Sequence, residues 1–494
     1  MPVNRVIGQG SLFALLTILT GNISPNAHSQ TDDYEVTPLL NADFSEQQVF
    51  TFRAPDCENC LAEKSEGLQQ VTNTVASVDM PIGSQEARKE LRETGIVRYR
   101  SRPWLLGMGS RANLVEKNGA VLTADIKREN AEWLRLQFSE ISEETDLQII
   151  IVDPASGDKQ IYTPDLLNEW NYRSGFVYGD QLRILVSFGA DSSLDATDVS
   201  LKDLVSHIHV GNEVAPDGRP QSEGPDFEEA AGSGDRSDNI SADEDNEQAY
   251  CDEDDRQLTS HEIYGRMQPK YCTVFRVEQN IFASAGHCFR TRRDDKVVVF
   301  NIPPSDENGD PQHPAPLAAH TFPVITSSLK CSDCTQGEED HRGNDWAIFT
   351  LGRNTEPPFM TAEEKYNFPD EKIWVANSKA ADWTSMTLYG FGWDDEPSEH
   401  KFALQKSSGP IDNFKKTTRG GIKIQHYTDT EDGASGAPIY ATRKETPAET
   451  YIVGIHNGGK CNPAAGIPNH GTAFSSPRLQ EHIKELRAEL AAIN

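Results

Sequence analysis

The chain has 494 residues and a formal net charge of −31 at pH 7, from 77 acidic and 46 basic side chains. This length has room for two or three domains, and the composition is that of a globular protein with a long polar segment. The negative charge argues against nucleic acid and against an anionic membrane surface as partners. The negative charge is not taken as evidence for a cationic substrate, because acidic surfaces more often serve solubility.

The first 29 residues have the pattern of a signal peptide. Arg5 supplies the positive end, residues 11–19 form a short apolar stretch, and residues 27–29 offer small side chains for cleavage. The apolar stretch is too short and too interrupted to predict a membrane anchor. We therefore expect a secreted or periplasmic protein, and eight cysteines agree with an oxidising compartment.

Two regions follow the signal peptide. Residues 30–118 are predicted as a polar pro-segment, and residues 119–210 as a β-sandwich-like pro-domain. Within the second region, residues 133–138 alternate in polarity, residues 147–152 are an apolar run, and residues 181–186 alternate again before becoming apolar. Strands at this spacing, separated by turn residues, are typical of a sandwich.

Residues 211–250 consist largely of Gly, Ser, Asp and Glu, including DFEE at 226–229 and DEDNE at 243–247. Such a segment buries too little apolar surface to offset the entropy of ordering, so we predict a flexible acidic linker. An exposed linker of this kind is readily cleaved by proteases.

Three motifs in residues 251–494 supply the groups of a nucleophilic catalytic site. The motifs are SAGHC at 284–288, NDWAIFTL at 344–351 and DGASGAP at 432–438. A serine nucleophile needs a histidine base, and the base needs a carboxylate to fix its tautomer, which predicts His287, Asp345 and Ser435 as the catalytic residues. The order His, Asp, Ser and the alanine at 437 argue against the α/β-hydrolase elbow.

In this order the motifs resemble those of the chymotrypsin-like (trypsin-fold) serine proteases. HYTDT at 426–430 and VGIHNGG at 453–459 look more like the bacterial glutamyl-endopeptidase, or V8-type, branch. The resemblance covers the last half of the chain. It implies an all-β domain at 251–494 with two six-stranded antiparallel β-barrels, His287 and Asp345 on the first barrel and Ser435 on the second.

The family also implies the chemistry: hydrolysis of protein or peptide substrates through an acyl-enzyme, without metal or other cofactor. The backbone N–H groups of Gly433 and Ser435 would form the oxyanion hole. Ala434 cannot make the aspartate pair that activates trypsin-type zymogens. In the V8-type branch the freed amino terminus lies near the substrate pocket instead, so removal of the pro-region would complete that pocket.

The P1 preference has two readings. In glutamyl endopeptidases the residues at the positions of Thr430 and His456 contact a P1 carboxylate, which implies cleavage after Glu or Asp. Asp429 instead stands where trypsin-like enzymes carry the acid that binds Lys or Arg. We favour the acidic P1, and keep a Lys/Arg-specific endopeptidase and an inactive binding protein on this scaffold as alternatives.

Four disulfides are expected. The resembled fold implies Cys272–Cys288, and Cys57–Cys60 and Cys331–Cys334 could each close a local loop, which leaves Cys251 to pair with Cys461. We favour disulfides over a zinc site for the two CxxC pairs, which lie in different regions.

Two elements flank the protease region. After Ser476-Pro477 an apolar stripe predicts a C-terminal helix that packs against the second barrel. Residues 119–210 also look like the β-sandwich that precedes the protease domain in some secreted bacterial trypsin-like enzymes. Such a pro-region would assist folding or shield the site, or would be a passive module.

Overall fold

The computed structural model describes residues 77–79, 96–100, 121–127, 131–141, 147–188, 205–211, 250–251, 253–269, 271–290, 296–334, 343–394, 397–459 and 461–493. All of them belong to one compact unit, Val49–Asn494. The predicted signal peptide, most of the polar pro-segment, the interior of the acidic linker and the Cys57–Cys60 pair lie outside the described residues. In the described part of the chain, no helix has the length and apolar character needed to cross a bilayer.

The amino-terminal half forms two sheets that face each other. The five-stranded sheet has the order β1-β3-β8-β5-β6, and the four-stranded sheet has the order β2-β9-β4-β7. The elements are β1 (Ser77–Asp79), β2 (Ile96–Arg100), β3 (Val121–Lys127), β4 (Trp133–Phe138), β5 (Leu147–Val152), β6 (Lys159–Tyr162), helix α1 (Pro164–Glu169), β7 (Val177–Tyr178), β8 (Gln181–Phe188) and β9 (Val205–Gly211).

One hydrophobic core fills the space between these sheets. Leu147, Ile149 and Ile151 are buried on alternate positions of β5, as the period of two in a strand requires. Trp133 of β4 and Trp170 after α1 belong to the same core. The region is therefore the predicted β-sandwich.

The sandwich begins earlier than predicted. β1 pairs in parallel with β3, and β2 pairs antiparallel with β9, although both strands lie before residue 119. β1 carries a single apolar residue, and β2 alternates apolar and basic residues over only five positions. Pieces this short do not stand out from a polar segment until a partner strand is known.

The first barrel of the carboxy-terminal half follows the six-strand pattern. Its strands are β11 (Gly265–Gln268), β12 (Thr273–Glu278), β13 (Ile281–Ser284), β14 (Val297–Phe300), β15 (Thr321–Pro323), β16 (Lys330–Ser332) and β17 (Trp346–Phe349), with short helices α2 (Leu317–His320) and α3 (Ala362–Lys365). β15 and β16 act as one strand interrupted by the turn Thr326–Ser328. Val324 bridges to Leu351 and β16 pairs with β17, which closes the barrel.

The second barrel closes in the same way. Its strands are β18 (Trp383–Phe391), β19 (Leu404–Gly409), β20 (Ile411–Lys416), β21 (Ile422–His426), β22 (Pro438–Arg443), β23 (Thr450–Gly458) and β24 (Asn469–Ala473), with β10 (Gln257–Leu258) added at the β19 edge. Pro410 divides one bent strand into β19, which pairs with β18, and β20, which pairs with β21. Two six-stranded barrels are thus present, as predicted.

The carboxy-terminal helix α4 (Pro477–Ile493) is also present, but its partner differs from the prediction. Leu479, Ile483 and Leu486 are buried in a core shared by both barrels, and α4 packs on β13 and β17 of the first barrel. Arg487 forms a two-bond ion pair with Glu278 at the end of β12. The stripe predicts a buried helix face, whereas the covering barrel depends on the path of the chain after β24.

Candidate active site

His287 and Asp345 meet because their strands are neighbours. His287 lies in the short turn Gly286–Phe289 after β13, and Asp345 immediately precedes β17. β13 and β17 pair antiparallel, so these two positions fall at the same edge of the sheet. The Asp345 Oδ2 atom lies 2.6 Å from His287 Nδ1, and Oδ1 accepts the His287 backbone N–H at 2.9 Å.

These two contacts fix the imidazole ring by both its side chain and its backbone. Burial alone would raise the pKa of Asp345, but attraction to His287 and the hydrogen bonds from His287 outweigh it, and the net pKa lies below its usual value. Asp345 is therefore ionised at neutral pH. It holds the histidine in the tautomer that carries hydrogen on Nδ1 and leaves Nε2 as the basic atom.

Ser435 lies on a tight loop that ends at β22. Gly433 has φ +100°, and a Cβ there would lie 2.1 Å from the Phe391 carbonyl oxygen, so only glycine fits. Among the described residues, the backbone N–H groups of Gly433 and Ser435 have no protein acceptor. Two free N–H groups on one strained loop form the arrangement that binds an oxyanion.

Thr273, the first residue of β12, anchors this loop to the first barrel. Its backbone N–H donates to the Ser435 carbonyl at 2.7 Å, and its hydroxyl donates to the Gly433 carbonyl at 3.1 Å. The same hydroxyl oxygen accepts the Phe391 N–H at 3.0 Å. Thr273 was not predicted as a site residue. The sequence signal that could have found it is its neighbour Cys272, which forms a disulfide with Cys288, the residue after His287.

A second anchor runs in the opposite direction. The Asp345 carbonyl oxygen accepts hydrogen bonds from Asn457 Nδ2 at 3.2 Å and from Thr472 Oγ1 at 3.0 Å, both in the second barrel. Each barrel thus fixes a residue of the other at the shared cleft.

Comparison with known proteins identifies the domain. Residues 254–477 match the family model described as Trypsin, a span that includes His287, Asp345 and Ser435. The domain is a trypsin-like serine endopeptidase. A solved structure entitled "Structure of Glu endopeptidase in complex with MPD" matches at 16% sequence identity with a TM-score of 0.33, covering 48% of this chain and 98% of that chain. A search of curated proteins gave no significant match.

The endopeptidase domain contains three disulfides with the predicted pairings, Cys251–Cys461, Cys272–Cys288 and Cys331–Cys334. Cys272, His287 and Cys288 lie close enough to hold a metal ion. Because the two cysteines are bonded to each other, they offer no thiolate, and the histidine alone makes no metal site.

Thr430 and His456, two predicted specificity residues, are both buried beside the catalytic loop. The Thr430 Oγ1 atom accepts a hydrogen bond from Asn469 Nδ2 at 3.0 Å, so its own hydroxyl hydrogen remains to donate. His456 joins the loop through its backbone, since its N–H donates to the Ala437 carbonyl and its carbonyl accepts the Gly436 N–H. Hydrogen bonds therefore fix both residues, and those of His456 reach the two residues that follow Ser435.

His456 is one of three neighbouring histidines in the second barrel. Its Nδ1 atom lies 3.3 Å from Nε2 of His426, and His470 repels the charged form of both rings. Burial, followed by repulsion from the other histidines, holds the pKa of His456 well below its usual value, and burial lowers the pKa of His426 to about 3. The rings of His456 and His426 are therefore neutral at physiological pH.

His426 and His470 were not predicted as site residues. They come together because β21 pairs with β24, with His426 opposite Asn469 and one residue from His470. The histidines themselves are plain in the sequence, but their proximity depends on the pairing of β21 with β24 in the closed barrel.

Asp429, the third predicted specificity residue, is engaged elsewhere. Its two carboxylate oxygens accept the backbone N–H groups of Cys251 at 2.7 Å and Asp255 at 3.0 Å. Burial raises the pKa of Asp429, and the neighbouring acids Asp255 and Asp254 add to this rise. Asp429 ties the first residues of the endopeptidase domain to the loop that carries Thr430.

Proposed function

We propose that this serine endopeptidase cleaves after acidic P1 residues, Glu or Asp. The observations that carry the proposal are the Thr430 hydroxyl, which keeps its hydrogen to donate, and the buried neutral ring of His456 beside His426. If His426 donates from Nε2 to His456 Nδ1, the other nitrogen of His456 keeps its hydrogen for a ligand. The Thr430 hydroxyl and the His456 N–H can both donate hydrogen bonds to a carboxylate, and the imidazole ring can also become protonated beside it.

The engagement of Asp429 also supports an acidic P1. A carboxylate that already accepts two backbone N–H groups has less capacity to bind a Lys or Arg side chain. The alternative of Lys/Arg specificity has Asp429 as its binding residue, and in the part of the chain that the structure describes no contact of Asp429 favours it.

The proposed mechanism uses each residue in the role that its geometry allows. Ser435 attacks the scissile carbonyl, His287 accepts the serine proton through Nε2 and then gives it to the leaving amine, and Asp345 stabilises the imidazolium. The N–H groups of Gly433 and Ser435 hold the oxyanion. Water then hydrolyses the acyl-enzyme, with His287 acting again as base. This complete set argues against an inactive binding scaffold.

We further propose that the protein is exported through its amino-terminal signal sequence and made as a precursor that is cut in the acidic linker. Three disulfides agree with an oxidising compartment. The bonds from Cys251 and Asp255 to Asp429 place the start of the endopeptidase domain beside Thr430. A new amino terminus just before Cys251 would therefore lie near the substrate pocket.

Cleavage after Arg256 is a poor route to this terminus. The Arg256 guanidinium is buried, pairs with Asp254 and Asp394, and donates to the Trp393 carbonyl. A processing enzyme would need to extract it from these partners. Cleavage within residues 212–249, which the enzyme itself could carry out after glutamate, avoids that cost.

A peptide-library experiment tests the proposal. The purified protein and its Ser435→Ala variant would each be incubated with a mixed peptide library, and mass spectrometry would identify the products and the enzyme's own amino terminus. We expect cuts after Glu or Asp that the variant does not make, and self-processing between residues 212 and 249. Cuts after Lys or Arg would overturn the P1 assignment, and the absence of fluorophosphonate labelling at Ser435 would overturn the catalytic one.

A further inference from the structure

We propose that the β-sandwich is a lasting subunit of the mature endopeptidase. After cleavage of the linker, the sandwich would stay bound to the outer wall of the first barrel and leave the active site open. This inference deepens the proposed function by giving the sandwich a role. It rests on the proposed precursor cleavage only because that cleavage would divide the protein into two chains.

Hydrogen bonds join the sandwich to the loop between β17 and α3. The Ile161 N–H of β6 donates to the Thr355 carbonyl at 2.9 Å, as an added strand residue would. The Trp170 indole N–H donates to the Arg353 carbonyl at 2.9 Å. Two further bonds link the Leu317 N–H to Asp158 Oδ2 at 2.9 Å and Asn171 Nδ2 to Thr326 Oγ1 at 3.1 Å.

Arg353 is the electrostatic centre of this contact. Its backbone N–H and Nε both donate to the Glu169 carboxylate, at 2.9 and 2.8 Å, and Nη2 donates to Asp165 at 2.7 Å. A Cβ at Gly352 would lie 3.0 Å from Glu169 Oε2, so the glycine permits this close approach. The two acids of α1 and the single arginine of the barrel are therefore complementary in charge and in shape.

Apolar contacts complete the interface. Val297 of the first barrel is fully buried and belongs to the hydrophobic core of the sandwich, and Phe359 packs against that core. Tyr178 stacks on His313 with ring centroids 3.6 Å apart. Removal of the sandwich would expose these barrel residues to water, which is unfavourable for their apolar surface.

The described contacts use barrel residues outside the candidate site. They reach the barrel at Val297, His313, Leu317, Thr326, Arg353, Thr355 and Phe359. None of these residues belongs to the catalytic triad or to residues 426–437. We therefore expect the bound sandwich to leave the substrate site open.

The interface must hold without covalent help after linker cleavage. The six cysteines in the described part of the chain all lie at or after Cys251 and are bonded to one another. The described hydrogen bonds, ion pairs and apolar contacts then carry the whole association.

The test uses the full-length protein with a recognition sequence for a site-specific protease inserted between residues 220 and 240. In a Ser435→Ala background, the cut protein would be analysed by size-exclusion chromatography at micromolar concentration. We expect the two fragments to elute together at the volume of the uncut protein.

Arg353→Glu should weaken their association at least about tenfold, because it places a third negative charge against Asp165 and Glu169. Arg487→Glu, which breaks a similar two-bond pair on α4, is the matched control and should leave the association unchanged.

The same insertion in the active protein measures the effect on catalysis. We expect the cut protein, assayed at a concentration at which its fragments elute together, to cleave a small peptide, because the bound sandwich leaves the active site open. Fragments that elute separately would overturn the proposal, as would a cut protein that is inactive while the sandwich is bound and becomes active once the sandwich is removed, which would make the sandwich an inhibitor. Because co-elution is read in the inactive variant, a failure of the proposed peptidase activity would be seen separately.

Discussion

At the scale of single residues, His456 is held in its neutral form, which bears on the proposed binding of an acidic P1 residue. Desolvation opposes its charged form, and the neighbouring His426, His470 and His287 oppose it further. A P1 carboxylate would reverse the balance, because an adjacent negative charge favours the imidazolium. Binding of a glutamyl substrate should therefore take up a proton.

This coupling gives a pH-dependence with a defined sign. The empty pocket has a His456 pKa well below 6.5, and the carboxylate raises that pKa, so the complex binds more protons than the free enzyme between the two values. The ratio of kcat/KM for a P1-Glu peptide to that for the isosteric P1-Gln peptide should fall as pH rises from about 6 to 9, by up to about tenfold per pH unit. The Gln peptide controls for pH effects on the catalytic steps that both substrates share. A ratio that stays constant or rises with pH would contradict the proposed pocket.

The sequence predicted the residues that local motifs mark and missed those that only the fold assembles. His287, Asp345 and Ser435 stand in short motifs whose residue types and order indicate their chemistry. Thr273 and His470 stand in ordinary strand sequence, and their positions depend on pairing between strands distant in the chain. The hydrogen bonds of Asp429 could not be predicted from the sequence either, because a carboxylate at that position can bind a cationic substrate side chain or accept backbone N–H groups.

At the scale of elements, one side chain, Asp429, accepts two backbone N–H groups from the amino-terminal segment of the endopeptidase domain. Asp429→Ala leaves the N–H groups of Cys251 and Asp255 without their acceptor, so we expect a loss of about 1–3 kcal/mol in unfolding free energy. The P1 preference should remain within about twofold of the parent. Thermal denaturation and paired P1-Glu and P1-Lys peptides measure the two effects.

Asp432→Ala offers a matched control, because Asp432 is an exposed acid on the same loop. It should change stability by less than about 0.5 kcal/mol. Selective loss of P1-Lys or P1-Arg cleavage in Asp429→Ala would show instead that Asp429 faces the substrate.

The elements themselves were predictable to the extent that each carries its own periodicity. The strands of the sandwich and the apolar stripe of α4 follow from alternation and helical spacing. Two barrel strands are divided, one at Pro410 and one at the turn Thr326–Ser328. The sequence alone could not show that these divisions close the barrels, because each half of a divided strand pairs with a different strand. The stripe predicted the buried face of α4 but not that β13 and β17 of the first barrel would also cover it.

At the scale of the whole molecule, the disulfides differ greatly in the length of chain they constrain. Cys251–Cys461 spans 210 residues and links the start of the endopeptidase domain to the loop between β23 and β24, whereas Cys331–Cys334 spans only 3. The chain-entropy argument gives the longer bond an upper contribution of about 5 kcal/mol and the shorter one about 2 kcal/mol.

The double variants Cys251→Ser/Cys461→Ser and Cys331→Ser/Cys334→Ser therefore form a matched pair. In a Ser435→Ala background, guanidinium unfolding should show the first to be the more destabilised by about 2–3 kcal/mol. Equal losses would mean that local packing, and not the constraint on the unfolded chain, dominates both bonds.

The reciprocal hydrogen bonds across the cleft have a further consequence for the cell that makes this enzyme. Thr273 of the first barrel holds the loop of Ser435, while Asn457 and Thr472 of the second barrel hold the carbonyl of Asp345. A nascent chain with only the first barrel complete has His287 beside Asp345, but it lacks Ser435, the N–H groups of the oxyanion hole and the hydrogen bonds that hold the Asp345 carbonyl. We therefore expect hydrolytic activity to arise only when the two barrels have docked, so that a partly folded molecule cleaves no substrate.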